Sequence, residues 1–307
     1  MTMTPDSSQE FAHLSTEAVD PRFADIDRMP VAELAALMNA ADATVPGAVE
    51  RELPSIVPAI EATAARLRAG GRLIYVGAGT PGRLGVLDAS ECPPTFGTSP
   101  DRVFAIIAGG PEAIVSPIEG AEDDAQQGAA AISAADVGPL DVVIGIASSG
   151  RTPYVVAAIV EAGRRGALTV GLSCNVGTAL SGAAEHAIEI AVGPELISGS
   201  TRLKAGTAQK LVLNMFSTIA MVQIGKTYGN LMVDVHASNA KLHERAIRIV
   251  RAIAEVDRAQ AMDALESTGL RVKHAVLLLR LGLDPETAEE RLVAAGGRLR
   301  DVLEGNR

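Results

Sequence analysis

Arg72-Leu73-Ile74-Tyr75-Val76-Gly77-Ala78-Gly79-Thr80-Pro81-Gly82-Arg83 decides how this chain folds. An apolar run ends in a glycine-rich turn, and a helical pattern begins near Gly82. Strand, glycine turn and helix in that order is how α/β proteins turn backbone N–H groups and a helix N-terminus toward an anion. Immediately downstream, Asp88-Ala89-Ser90-Glu91-Cys92-Pro93-Pro94-Thr95 sets a carboxylate ahead of two prolines. The residue before a proline is pushed out of helical geometry, so the helix is expected to end by Cys92 with Glu91 in its last turn. There the negative end of the helix dipole disfavours a charged carboxylate, which suits a general acid. A phosphate cradle followed by such an acid points to sugar-phosphate chemistry.

The same alternation recurs outward from this stretch. Strands are expected over 72–76, 103–108, 142–147, 168–172 and 187–192, all rich in Val and Ile and mostly apolar throughout. Such strands with helices between them form a parallel sheet covered on both faces. Ahead of the sheet, 30–41 reads as a helix with Val31, Leu34, Leu37 and Met38 on one face. Helix continues over 46–69, interrupted at Pro54 and Pro58 and closed by Gly70-Gly71. A long apolar helix over 205–226 is expected to be deeply buried or at a subunit interface. From about residue 238 short amphipathic helices follow. One is capped by Asp257 with Gln260 three residues on, and another starts at Asp284-Pro285. The expected architecture is α/β. A five-stranded parallel sheet flanked by helices spans residues 63–230, a tail and helices precede it over 1–62, and a small all-helical domain follows over 238–307.

Bulk properties narrow the function. The 307 residues carry a net charge of −10, which argues against nucleic acid as the main partner. No apolar run approaches the ~20 residues of a membrane span, and the first residues lack the blocks of a signal peptide. Residues 1–12 read as a mobile tail. Cys92 and Cys174, the only cysteines, form no CxxC pair and read as reduced thiols of a cytoplasmic protein. The histidines, His13, His186, His236, His243 and His274, show no metal-binding spacing, so neither metal nor other cofactor is expected. Aromatic content of 3% leaves sugar recognition to polar groups.

Several segments can carry chemistry. Gly77-Ala78-Gly79 with Gly82 fits G-x-G-x-x-G, but the acidic residue that a dinucleotide site needs about twenty residues on is missing. A second loop, Ala147-Ser148-Ser149-Gly150-Arg151-Thr152, follows the third strand with three hydroxyls, a glycine and a helix start at Pro153. Two anion-competent loops at the carboxyl ends of neighbouring strands converge on one crevice. Gly79, Thr80, Ser148, Ser149, Gly150 and Thr152 are therefore candidate phosphate contacts. Glu119 and Glu122 share a face by their spacing and could supply a base, whereas Asp123 and Asp124 read as a solvated surface. Ser200, Arg202 and Lys204 open the long helix. Ser200 could simply cap it, while Arg202 and Lys204 are the best-placed cations for a phosphate.

Taken together, Leu73–Pro94 (LIYVGAGTPGRLGVLDASECPP), Ile107–Glu122 with its EGAE end, Ala147–Tyr154 (ASSGRTPY), Gly199–Asn214 (GSTRLKAGTAQKLVLN) and Gly229–Val235 (GNLMVDV) resemble the N-acetylmuramic acid 6-phosphate etherases. The resemblance implies a sugar isomerase domain followed by a helical C-terminal domain. It also implies cytoplasmic cleavage of a lactyl ether, yielding N-acetylglucosamine 6-phosphate and D-lactate, without metal or nucleotide. Carried over, the acid/base glutamate of DASECPP falls on Glu91 and that of EGAE on Glu122. One departure is Pro81, where the family usually has serine, so a hydroxyl and an N–H are missing from the first loop. Other readings are a non-catalytic sugar-phosphate sensor, similar to the glucokinase regulatory proteins, and an aldose–ketose isomerase. The apolar surface of the long helix and of the N-terminal helices predicts a homodimer.

Overall fold

The structure, a computed structural model, describes residues 14–235 and 239–305. The tail read over residues 1–12, together with His13 and His236, lies outside them.

Strands that are apolar on both faces bury both only between layers of helices. β1 (Leu73–Gly77), β2 (Val103–Ile107), β3 (Val142–Ile146), β4 (Leu168–Ser173) and β5 (His186–Glu189) form one sheet in the order β2-β1-β3-β4-β5. β1, β3, β4 and β5 pair in parallel, with Gly77 opposite Ile146 and Val142 opposite Leu168. This is the α/β architecture expected from the sequence. β5 starts one residue before its apolar run, and it stops sooner because β4 ends at Ser173, opposite Glu189. The chain leaves β1 for one edge and crosses back to add β3 on the other side. The order therefore reverses between β1 and β3, where a crevice opens at their carboxyl ends.

Ahead of the sheet stand α1 (Val31–Asp42), α2 (Val45–Arg51) and α3 (Leu53–Arg68). α4 (Gly79–Phe96) follows β1, α5 (Ala125–Ala134) precedes β3, α6 (Pro153–Arg164) and α7 (Ala179–Ala183) flank β4, and α8 (Lys204–Gln223) follows β5. Ile74, Val76 and Val143 pack with Ile132 of α5 and with Val155, Ala158, Ile159 and Ala162 of α6. Their strand neighbours Leu73, Tyr75, Ile144 and Ile146 point to the opposite face and are buried as well.

Two helices depart from expectation. α4 does not end at Cys92 but runs through Pro93 and Pro94 to Phe96. Gly97, at φ +61°, closes it by donating its N–H to the Pro93 carbonyl at 2.9 Å. Cys92 and Phe96 are both buried one turn apart, and that packing outweighs the local cost of two prolines. Glu91 therefore lies ahead of the last turn, and the dipole argument drawn from its place at the helix end does not hold. α8 starts one residue earlier and stops three sooner than expected, and it buries Val212, Leu213 and Phe216 while Thr207, Lys210 and Thr218 are exposed.

The chain divides into two compact units, one of residues up to Ala89 with Phe104–Phe216, the other of Ser90–Val103 with residues from Ser217 on. The second contains a short antiparallel hairpin, β6 (Thr227–Tyr228) and β7 (Leu231–Met232), which the sequence pattern does not announce. α9 (Ala240–Ala254), α10 (Arg258–Ser267), α11 (Val272–Leu281), α12 (Pro285–Ala294) and α13 (Leu299–Glu304) follow. Asp257 and Gln260 form the expected capping box, and Asp284 accepts from the N–H groups of Glu286 and Thr287. Lys273 is buried, and its ammonium binds Asp234 at 2.7 Å and the carbonyls of Gly225 and Gly297 at 3.0 and 2.8 Å. It thus joins three loops of this unit with one side chain.

At the amino ends of β1 and β3, Asp141 accepts from the Arg72 guanidinium at 2.6 Å and from the backbone N–H groups of Arg72 and Gly138 at 2.9 Å. Burial alone would raise the Asp141 pKa, but the Arg72 side chain and these N–H groups outweigh it and hold the carboxyl below its usual value. A carboxyl depressed in the fold stabilises fully above the unfolded value of about 3.9, and less as pH falls toward the folded value. Arg72→Met is therefore expected to cost about 3 kcal/mol near neutrality. The cost should shrink below pH about 4, as the carboxyl protonates. Urea melts at pH 7 and pH 3 check this; equal destabilisation at both would refute it.

Candidate active site

The first loop is shaped by glycines at contact distance. A Cβ on Gly77 would lie 2.6 Å from the Gly82 nitrogen, and one on Gly82 would lie 2.6 Å from Cγ1 of Ile107. Without those carbons, β1 turns at once into α4 and leaves the helix N-terminus at the crevice. Gly79 is exposed at φ +57°, and Thr80 is half-buried beside it. Pro81 is buried in the first turn, where an N–H has no helical acceptor, which is why a proline fits. It also removes one donor from the cradle.

The second loop follows β3, the neighbour of β1 in the sheet. Gly150, at φ +66°, donates to the Ala147 carbonyl at 3.0 Å, and its hypothetical Cβ would lie 2.4 Å from Cβ of Thr178. Ser149 Oγ accepts from the Arg151 N–H at 3.2 Å, so its own proton is available to another acceptor. Thr152 precedes α6 as N-cap without capping it through its side chain. Ser148 is buried.

α8 opens close to the first loop, since a Cβ on Gly206 would lie 3.6 Å from Cγ2 of Thr80. Its N-terminus is already occupied. The buried Glu195 carboxylate accepts from the N–H groups of Lys204 and Ala205 at 3.0 and 2.9 Å. The Lys204 ammonium turns inward to the Val192 carbonyl at 2.7 Å, and burial lowers its pKa against the pull of Glu195. Of the two candidate cations Arg202 is the exposed one, and Ser200 is half-buried.

Glu91 is exposed on α4 and belongs by sequence to the second unit. One turn earlier on the helix, the buried Asp88 accepts from the Tyr75 hydroxyl and from Asn214 Nδ2, both at 2.7 Å. That pair of bonds fixes α4 to β1 and α8. Glu122 is exposed in a single turn, Ala121–Asp123, entered through Gly120 at φ +73°. Glu119 lines a cavity of about 730 Å³ beside β2 with Gly109, Gly110, Ile114, Ile118 and Tyr154. Asp124, read as merely solvated, caps α5 by accepting from the Gln127 N–H at 2.9 Å. The fold thus brings Gly79, Thr80, Ser148–Thr152 and Ser200 to one end of the sheet.

Known proteins place this arrangement. A protein 55% identical over 306 residues, 99% of this chain and 98% of its own length, is the N-acetylmuramic acid 6-phosphate etherase of Streptomyces coelicolor. Etherases of Rubrobacter xylanophilus, 55% identical over 97% of this chain and 99% of theirs, and of Serratia proteamaculans, 51% identical over 94% and 98%, match likewise. The chain belongs to the N-acetylmuramic acid 6-phosphate etherase family. Family models match in consecutive parts: the glucokinase regulatory protein N-terminal SIS domain over residues 55–162, the SIS domain over 125–219, and the C-terminal lid domain of glucokinase regulatory protein over 229–293. Among solved structures, a phosphoheptose isomerase from Francisella tularensis superimposes over 63% of this chain and all of its own, at 19% identity and a TM-score of 0.49.

The polar groups behind these loops were not readable as such in the sequence. Asp88 and Gln209 lie within helices and Asn175 and Glu195 in loops after β4 and β5, and only the fold supplies their partners. The segment Ser15–Glu17 is equally silent, yet Thr16 is fully buried and its carbonyl accepts from the Gly199 N–H at 3.2 Å. Gly150 gives a direct check on the second loop. Gly177 shares its φ of +66° but faces open space, so Gly177→Ala should cost only the left-handed strain, about 1–2 kcal/mol. Gly150→Ala should cost a further 1–3 kcal/mol or so, because it also collides with Thr178. Chemical melts of the two variants compare them, and equal losses would contradict the packing described.

Proposed function

We propose that this chain cleaves the D-lactyl ether of N-acetylmuramic acid 6-phosphate, giving N-acetylglucosamine 6-phosphate and D-lactate. One observation carries this: similarity to proteins named as that etherase runs over 99% of the chain, through both loops and both candidate glutamates. The phosphate would sit at the N-termini of α4 and α6, on Gly79, Thr80, Ser148, Ser149, Gly150 and Thr152. Ser200 and Arg202 flank it.

The reaction needs no more than proton transfers. With the sugar ring open, C1 is an aldehyde, so the C2 proton is acidified and the C3 ether oxygen lies β to the carbonyl. A base takes the C2 proton, the C3–O bond breaks as an acid protonates the departing lactate oxygen, and a double bond forms between C2 and C3. Water then adds at C3 while a proton returns to C2, so the balance is one water consumed. Two carboxyl groups in opposite protonation states are enough. Glu91 is assigned as the acid that later activates water, and Glu122 as the C2 base. Glu91→Gln should abolish release of D-lactate without lowering the melting temperature, because an exposed amide cannot give up and retake a proton. Near-normal turnover in an enzymatic lactate assay would end the assignment.

The match to regulatory-protein domains favours a second reading, a sugar-phosphate-binding regulator without turnover. Wild-type protein that binds the sugar phosphate but releases no lactate would support it.

A cytoplasmic homodimer belongs to the same proposal. No helix of the described residues is long and apolar enough to cross a membrane. α1 buries none of its residues, and Val31 is 85% exposed. On α8, Ile219 and Val222 are 40% and 43% exposed. A second copy would cover such surface. Light scattering at micromolar concentration should give about twice the 31.6 kDa of one chain, and a mass near 31.6 kDa would refute the dimer.

A further inference from the structure

Ser148 carries the buried hydroxyl of the second loop, and two side chains and one backbone group bond to it. Its carbonyl accepts from the Cys174 N–H at 3.0 Å and from Asn175 Nδ2 at 2.9 Å. Its Oγ accepts from Gln209 Nε2 at 3.0 Å. Asn175 is fully engaged. Its Nδ2 also donates to Thr16 Oγ1 at 3.0 Å, and its Oδ1 accepts from the Ser15 hydroxyl and the Thr16 N–H at 3.0 and 3.4 Å.

Gln209 is different. It is fully buried on α8, yet its Oε1 has no partner among the described residues. A buried acceptor left unpaired is destabilising, so an apolar residue would serve packing better. Its other neighbour sets the sense of the amide. Burial pushes the Cys174 thiol up to about 12, so the sulfur keeps its hydrogen, which it gives to the Ala205 carbonyl at 3.7 Å. The sulfur can then only accept, and Nε2 lies 3.9 Å from it. The NH2 end therefore faces both the sulfur and Ser148. A serine hydroxyl has one proton to give, and with an N–H arriving at its oxygen that proton must point elsewhere.

We propose that Gln209 is a positioning residue that fixes the Ser148 hydroxyl as a donor to the phosphoryl group of the substrate, while Asn175 holds the same residue's backbone. This rests on the phosphate site proposed above. Gln209→Met removes both the N–H and the unpaired oxygen at similar volume. Its melting temperature should equal or exceed that of the wild type. Calorimetry with N-acetylglucosamine 6-phosphate should show binding about tenfold weaker, and the loss in turnover should fall on KM more than on kcat. Ser148→Ala should weaken binding by a similar factor, and the double variant should be no weaker than Ser148→Ala alone, because Gln209 acts through the hydroxyl.

Wild-type affinity in Gln209→Met, or multiplied losses in the double variant, would overturn the proposal. Gln209→Leu answers the same question if the methionine variant does not fold. Calorimetry does not depend on turnover, so the two readings separate. Gln209-dependent binding without lactate release by the wild type contradicts only the reaction, whereas lactate release with Gln209-independent binding contradicts only the positioning role.

Discussion

Backbone meets backbone between Gly77 and Gly82, and no side chain could stand there. A Cβ on either would approach the other glycine's backbone to under 3 Å. This contact lets α4 start directly off β1 instead of swinging away on a loop. Its first turn therefore opens into the crevice where the strand order reverses, beside the loop that follows β3. The start of α8 also comes close to this turn, at Thr80. The start of α4 thus sits at the crevice because two side chains are missing.

The two ends of the sheet are held by different chemistry. At the amino ends a charged pair, Arg72 with Asp141, locks β1 to β3. At the carboxyl ends the buried links are mostly neutral: Asn175 with Thr16 and Ser148, Gln209 with Ser148, and Tyr75 and Asn214 on Asp88. A neutral hydrogen bond adds only about 1 kcal/mol net, yet leaving either partner unpaired costs more. Such a network contributes modest stability and a strong preference for one geometry, which suits a loop that must present hydroxyls in fixed directions.

What could be read from the sequence was what local rules decide. Continuous apolar runs marked the five strands, Asp257 with Gln260 marked a helix start, and glycines with hydroxyls marked both loops. What could not be read depended on partners distant in sequence. The residue-before-proline rule stopped α4 at Cys92, but the burial of Cys92 and Phe96 carries it on to Phe96. Lys204 has the look of an anion-binding cation until the fold sets the Val192 carbonyl beside its ammonium. Asn175, Gln209 and Glu195 show no spacing or motif, since each meets partners contributed by other elements. Thr16 lies in a segment whose composition resembles a loose N-terminus, although it packs against Asn175.

A chain of net charge −10 that handles a phosphate has to solve an electrostatic problem locally. The inward turn of Lys204 and the carboxylate of Glu195 take the N-terminus of α8 out of consideration as an anion site. What remains at the carboxyl ends of β1 and β3 is the N-termini of α4 and α6, backbone N–H groups, the hydroxyls of Thr80, Ser148, Ser149 and Thr152, and the half-buried Arg151 of the second loop. Helix dipoles and oriented N–H groups favour an anion only within the first turn, and hydroxyls only in the direction they point. The direction of each hydroxyl is in turn set by the buried groups behind the loops, as Gln209 Nε2 donating to Ser148 Oγ shows.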